Sequence, residues 1–332
     1  MSRLPRSVWE VFRACSDCKS HDAKFKGFAH NYRIPPWRSA RLQDVCLVPN
    51  SIGIVSRYLE NLQNDSSEQA FEEQFANFIC ASNAIEDAGL SQPDTLVLVK
   101  ELLADKTLSE YSHDSKSTKE VLQHVHAFLF MKAEVALKGE LSEDALLRCH
   151  RILMDGIPSE DGFDGYQGSY RSCQLVIGCP LRLSTGEERL PMSPELINDA
   201  LQQWRVSYNN ALTSFQDPIA EAAALKIKLL DIHPFLDGNG RMSRLLFNTL
   251  IGRYYPHTLV TFGETAKRRR RYQEAVRESI RRTAPGIFAF FSSRHAAESC
   301  IRRLENARIV VGVDELPDEV KDSILVLKRM LD

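Results

Sequence analysis

The sequence predicts a mostly α-helical protein with one small β element. Apolar residues recur at helical spacing along most of the chain, and glycine and proline gather in short breaks between those runs. Only the segment near 173–191 has a β-like composition.

Residues 1–50 read as irregular, with Pro35, Pro36, Trp37 and Pro49 as breaks. Ile52, Val55, Tyr58, Leu59 and Leu62 then keep a helical period, as do Phe71, Phe75, Phe78 and Ile79, with Gly89 as a stop. Residues 94–111 and 117–137 read as two further helices, parted by the polar SHDSKS. Leu141 to Met154 is another, capped by Ser142. The glycine-rich DGIPSEDGFDGYQGSYR is a loop. CQLVIG reads as a short strand, and CPLRLSTGEERLPM as a returning strand or an irregular arm. Ser193-Pro194-Glu195 opens a helix, Pro218 to Ile232 is the next, and a helix follows HPFLDGNGR. Lys267 to Thr283 is basic and helical, and IFAFFSSRHAAESCIRRLENARI continues the helical content. No internal repeat is visible.

The chain has 332 residues, 43% hydrophobic and 26% charged, with net charge −2, so a globular fold with a sizeable core is expected. That balance favours neither nucleic acid nor a membrane surface as partner. No run of about 18 apolar residues suggests a membrane span, and the N-terminus lacks an apolar signal segment. The eight cysteines are scattered, which suits reduced thiols in a cytoplasmic compartment. CSDCKSH (Cys15, Cys18, His21) has only His30 nearby as a fourth zinc ligand, so a metal site is the weaker reading there. Lys267 to Arg271 reads first as a solvated helix start and second as a nuclear-import patch. His124, His126 and His150 read as packing or surface residues, since no carboxylate or cysteine spacing accompanies them.

HPFLDGNGRMSR, His233 to Arg244, carries the chemistry. Asp-Gly and Asn-Gly often mark a hairpin turn, but that requires alternating strands on both sides. Here Leu225, Leu229 and Ile232 precede the motif, and Met242, Leu245, Leu246, Thr249 and Leu250 follow it, all at helical spacing. Helix, glycine loop, helix is the better description. Glycines let backbone approach an anion closely, and the free N–H groups of a helix start favour a phosphate. Arg241, Arg244 and Asn248 share one helix face, where guanidiniums can grip further phosphate oxygens. A single carboxylate, Asp237, beside phosphates suits Mg²⁺. His233 has the right pKa range to take a proton near neutrality. The parts describe a nucleoside triphosphate with magnesium and a base for an incoming hydroxyl.

The stretch resembles the signature of the Fic family, His-Pro-Phe-x-Asp/Glu-Gly-Asn-Gly-Arg-x-x-Arg, with every fixed position filled. GSYRSCQLVIG resembles that family's Gly-x-Tyr-Arg element leading into a β-hairpin flap, and RLLFNTLI and the helix around Tyr272 also match. The resemblance implies a Fic-type helical bundle at about 120–292, with a small flap. It would be preceded by an N-terminal helical region at 1–115 and followed by a helical extension at 293–332. It implies a protein adenylyltransferase that moves AMP from ATP to a Ser, Thr or Tyr hydroxyl of a target protein. His233 would be the base and Phe235 the loop's anchor. Asp237 would hold Mg²⁺ or Mn²⁺, and Gly238, Asn239 and Gly240 the anion hole. Arg241 would take the β/γ end, Arg244 the γ-phosphate, and Tyr272 the adenine pocket; some relatives carry Asn where this chain has Ser279. The target would dock on the flap near 173–191, though the segment after Cys173 is longer than the family pattern. Doc-type kinases differ, having Ala and Lys in place of Gly238 and Gly240.

SNAIED, Ser82 to Asp87, has two readings. One is a helix start capped by Asn83 with Glu86 as its capping-box partner. The other comes from the resemblance, which places Ser/Thr-x-x-x-Glu-Gly/Asn on an inhibitory helix. Ser82 and Glu86 fit that pattern; Glu86 would then pair with Arg244 and obstruct the γ-phosphate, with Asp87 departing from the pattern. Removal of AMP, transfer of another nucleotide, and a silent nucleotide-sensing module are the alternatives. Oligomeric state is open.

Overall fold

The computed structural model describes residues 27, 29–35, 42–61, 65–103, 115–158, 165–175, 181–182, 188–213, 216–256, 258–307 and 316–331. The first helices are α1 (Leu42–Asn61), α2 (Asp65–Ala84), α3 (Gln92–Leu103), α4 (Lys116–Lys138) and α5 (Glu143–Met154). A two-residue antiparallel pair follows, β1 (Leu181–Arg182) with β2 (Glu188–Arg189), in register Leu181 to Arg189. Then come α6 (Ile197–Thr213), α7 (Pro218–Ile232), α8 (Asn239–Tyr254), α9 (Ala266–Arg281), α10 (Gly286–Ala307) and α11 (Asp318–Leu331).

Local chemistry sets several of these ends. Ser115 and Ser142 accept from the N–H groups of Thr118 and Ala145, satisfying helix-start donors of α4 and α5. Asp217 does the same for α7 through Ala220, with Pro218 at the first position, where its missing N–H costs nothing. Asp217 also accepts from the Tyr32 hydroxyl at 2.7 Å and from Asn31 at 3.3 Å, so the segment before α1 is fastened to the cap of α7.

Three expectations need correction. Pro49 does not break the chain; it lies inside α1, buried between Val48 and Ile52. α1 packs along α11 and α10, and burial of Val45, Val48, Ile52 and Val55 offsets the roughly 3 kcal/mol that an interior proline costs. The β pair also lies elsewhere than expected. Both strands come from the segment assigned to the return, while 173–175 of CQLVIG are not strand and 176–178 lie outside the described residues. Finally, α2 stops at Ala84, five residues before Gly89.

α7 lies between α6, α8 and α10. Its small residues Ala220, Ala222 and Ala223 are buried and let these neighbours approach closely. α8 is buried on every face through most of its length, although Arg241 and Arg244 are in it. A helix buried all round is normally apolar, so two interior guanidiniums need anions or other acceptors. One hydrophobic cluster runs from Tyr32 to Met330, and α10 continues across residue 292.

Candidate active site

The sequence between α7 and α8 folds as expected, helix to loop to helix. His233 ends α7 in the left-handed region, φ 53°, with its N–H on Leu229 O. Its Nδ1 lies 3.4 Å from the Leu230 carbonyl. A carbonyl only accepts, so the ring proton belongs on Nδ1 and Nε2 keeps its lone pair. Burial pushes the imidazole below its usual range, so it is neutral near pH 7 and able to accept a proton.

Four devices hold the loop. Phe235 is fully buried and stacks on His150, with centroids 3.8 Å apart. The Asn239 amide accepts from Phe235 N–H at 3.0 Å and donates to Phe235 O at 2.8 Å. That side chain therefore shapes the loop, leaving backbone N–H groups as the anion donors. His150 accepts from Gly168 N–H on Nδ1 and donates from Nε2 to Asp237 O at 3.0 Å. Arg171 donates to the carbonyls of His233 (2.7 Å) and Ile232, and to Cys173 (2.8 Å) and Met192 on either side of the β pair. One guanidinium thus ties His233 to both ends of the segment that carries the β pair.

Gly238, φ 77°, is the N-cap of α8. A Cβ there would meet Met154 Sδ at 2.8 Å, so glycine is required by space as well as by φ. The first N–H groups of α8 have no partner within the helix, an arrangement that favours an anion. Arg241 is 3% exposed, and its Nε and Nη1 have no hydrogen-bond partner among the described residues. Its Nη2 lies 4.0 Å from Asp237 Oδ2. A buried guanidinium with two idle nitrogens beside a helix start fits an anion with several oxygens. Among the described residues no cluster of three His, Cys, Asp or Glu side chains could hold a metal; CSDCKSH lies outside them. Asp237 alone suits a cation that arrives on phosphates.

Arg244 is 1% exposed and fully engaged. Nε donates to Ser82 Oγ (2.8 Å), Nη2 to Ser82 O (2.7 Å) and to Glu86 Oε1 (2.7 Å), and Nη1 to the Tyr272 hydroxyl (3.3 Å). The capping-box reading of SNAIED is overturned: Ser82 and Asn83 lie in the last turn of α2, and Glu86 in the turn beyond it. A carboxylate at a helix C-terminus meets the wrong end of the dipole, so this position depends on Arg244. Burial raises the Glu86 carboxyl, but Arg244 chiefly outweighs that and holds it below its usual range. Its side chain is still 36% exposed. A Cβ on Gly240 would collide with the Glu86 carboxylate, so that carboxylate lies against the helix start itself.

Tyr272 is buried against Phe262, Phe288 and Phe291, with its hydroxyl on Arg244 and Lys226. Ser279 is buried and donates to Ala275 O. Arg268 of the basic run pairs with Glu264 and Glu298, while Lys267, Arg270 and Arg271 are exposed. From sequence, His150 has only a packing or surface role and Arg171 only a place in the Gly-x-Tyr-Arg element, and Lys226 is not singled out. Lys226 did leave a signal: it falls between Ala222 and Leu229 on the apolar face of α7.

Residues 140–251 match the model of the Fic/DOC family. Among curated relatives, "Protein adenylyltransferase Fic" of Drosophila willistoni is 27% identical over 207 residues, and that of Nematostella vectensis 29% over 201. These stretches cover 61% and 59% of this chain but only 37% and 42% of those relatives, well under half their length. Among solved structures, Fic-1 from C. elegans superposes with TM-score 0.61 at 22% identity, covering 80% of this chain and 73% of that one. A Fic family protein from Desulfovibrio desulfuricans gives 0.58 at 18%, covering 88% and 86%. At such identity these two describe the fold. The Fic motif lies inside the matched residues; Ser82, Glu86 and Tyr272 lie outside. No described helix is long and apolar enough to cross a membrane.

Proposed function

We propose that this chain is a self-restrained protein adenylyltransferase, moving AMP from ATP to a hydroxyl of a target protein. The observation that carries it is the meeting of a neutral His233 and an anion-binding helix start in one eight-residue loop. The name shared by the matched relatives supports the same reaction.

Asn239 and Gly240 present backbone N–H groups to the α- and β-phosphates, while Gly238, whose N–H donates to Asp237 Oδ1, lets the backbone approach them. Arg241, with its idle nitrogens, takes the β/γ end, and Asp237 holds Mg²⁺ or Mn²⁺; the cation neutralises phosphate charge when bound. His233 Nε2 takes the proton of the target hydroxyl, which then attacks the α-phosphorus as pyrophosphate leaves. The target lies along the segment 173–191, whose ends Arg171 fixes to His233 O. Tyr272 supports Arg244 through its hydroxyl rather than offering an open face to adenine. Glu86 is the brake: paired with Arg244, it denies the γ-phosphate its guanidinium and repels the triphosphate. Removal of AMP is the second reading, favoured by the partly exposed Glu86, which could orient a water. The reaction is assigned to the cytoplasm.

Intact-mass spectrometry after incubation with ATP and Mg²⁺ tests this. Glu86→Gly should acquire an AMP-sized mass on the order of a hundredfold faster than wild type, since the carboxylate that occupies Arg244 is removed. Adding His233→Ala should abolish it. A phosphate-sized addition, or AMP on the double variant, would defeat the proposal.

A further inference from the structure

Lys226 lies inside the protein, 2% exposed, two helical turns before His233 on α7. Its Nζ is 2.8 Å from the Tyr272 hydroxyl, 4.8 Å over the Tyr272 ring and 4.6 Å over that of Phe288. The same hydroxyl receives Arg244 Nη1 at 3.3 Å. One phenol oxygen therefore serves two basic side chains, one of which Glu86 already neutralises. Lysine is almost never fully buried unless paired. Here burial, and then the Arg244 charge, push the amine well below its usual range, while Glu86 pulls the other way. The groups facing this interior are Glu86 from the turn after α2, Arg241 and Arg244 from α8, Tyr272 from α9 and the uncharged Phe288 from α10.

We propose that Lys226 is a positioning residue for the phosphate end of the nucleotide: it backs Arg244 through the Tyr272 hydroxyl and takes a proton from solvent when terminal phosphates replace the Glu86 carboxylate. The inference rests on the nucleotide reading above. Glu86 brings one negative charge to Arg244; the β- and γ-phosphates bring more. Added negative charge favours the charged form of a nearby amine, and the two ring faces lower the cost of a buried cation. By linkage, a proton taken up on binding strengthens that binding by the same amount. The gain falls on ATP and not on AMP, which lacks the terminal phosphates.

The test is calorimetric titration of Glu86→Gly with ATP and Mg²⁺ at about pH 8, where free ATP is fully ionised and an ordinary His is neutral. Two buffers of different ionisation enthalpy count the protons. We expect about half a proton or more taken up with ATP and little with AMP. Adding Lys226→Met should abolish the uptake and weaken ATP about tenfold while sparing AMP. Lys226→Arg, permanently charged, should bind ATP within a few-fold of its parent, without uptake. Should Lys226→Met fail to fold, the ATP–AMP contrast and the arginine variant still decide. ATP binding without uptake, or equal uptake in the variants, overturns the Lys226 role alone. Failure of Glu86→Gly to bind either nucleotide overturns the nucleotide reading with it.

Discussion

The loop 233–240 and the turn 85–89 both follow a helix end, and each holds a non-glycine residue at positive φ: His233 at 53° and Asp87 at 51°. They are held in different ways. The loop is fixed from several directions, by Arg171 on its carbonyls, Asn239 across its base, and Phe235 stacked on His150. The turn is fixed at its root by Asn83 on His124 and by Gly89 N–H on Glu120, but the Glu86 carboxylate is held by Arg244. A catalytic loop must keep one shape, so redundant contacts suit it. On the proposed reading of Glu86 as a brake, a root that stays and a tip with one exchangeable partner are what a removable inhibitor needs.

The largest effect should come from attacking the loop's redundancy at its hub. Arg171→Ala orphans the buried Ile232 carbonyl and the half-buried His233 carbonyl and should cost about 3 kcal/mol in chemical denaturation, with AMP transfer lost in the Glu86→Gly background. A stability change under about 1 kcal/mol would mean the loop is no better held than the turn. Gly240→Ala probes where the two regions touch. It should destabilise wild type by roughly 1–2 kcal/mol through the Glu86 carboxylate, and be neutral or mildly stabilising with Glu86→Gly, as alanine suits a helix better. Equal cost in both backgrounds would show that the carboxylate does not lie there. The smallest effect is Asp87→Gly. Relief of the left-handed strain should add about 0.5 kcal/mol and lower residual AMP transfer, because the turn then holds Glu86 better. Faster transfer would assign Asp87 a part in the brake beyond strain.

Most helices were legible because their apolar spacing and caps are local, as with Ser142 and Asp217-Pro218. The motif's helix–loop–helix form was legible for the same reason: histidine, carboxylate and helix start lie in twelve residues. What failed depended on distant partners. Pro49 is tolerated because α11, more than 250 residues on, packs against α1. SNAIED carries the local marks of a helix start, yet its Asn83 answers to His124 and its Glu86 to Arg244, 158 residues away. Lys226 is a single charged residue whose worth lies in a phenol that no spacing rule locates.

Arg244 lies within the residues that match the family, but Ser82, Glu86 and Tyr272 do not. The recognisable segment is therefore shorter than the self-consistent one. A recombination event that carried residues 140–251 into another gene would carry a buried guanidinium without its acceptors. The guanidinium and the groups that satisfy it therefore form one unit, over a span reaching from Ser82 to Tyr272.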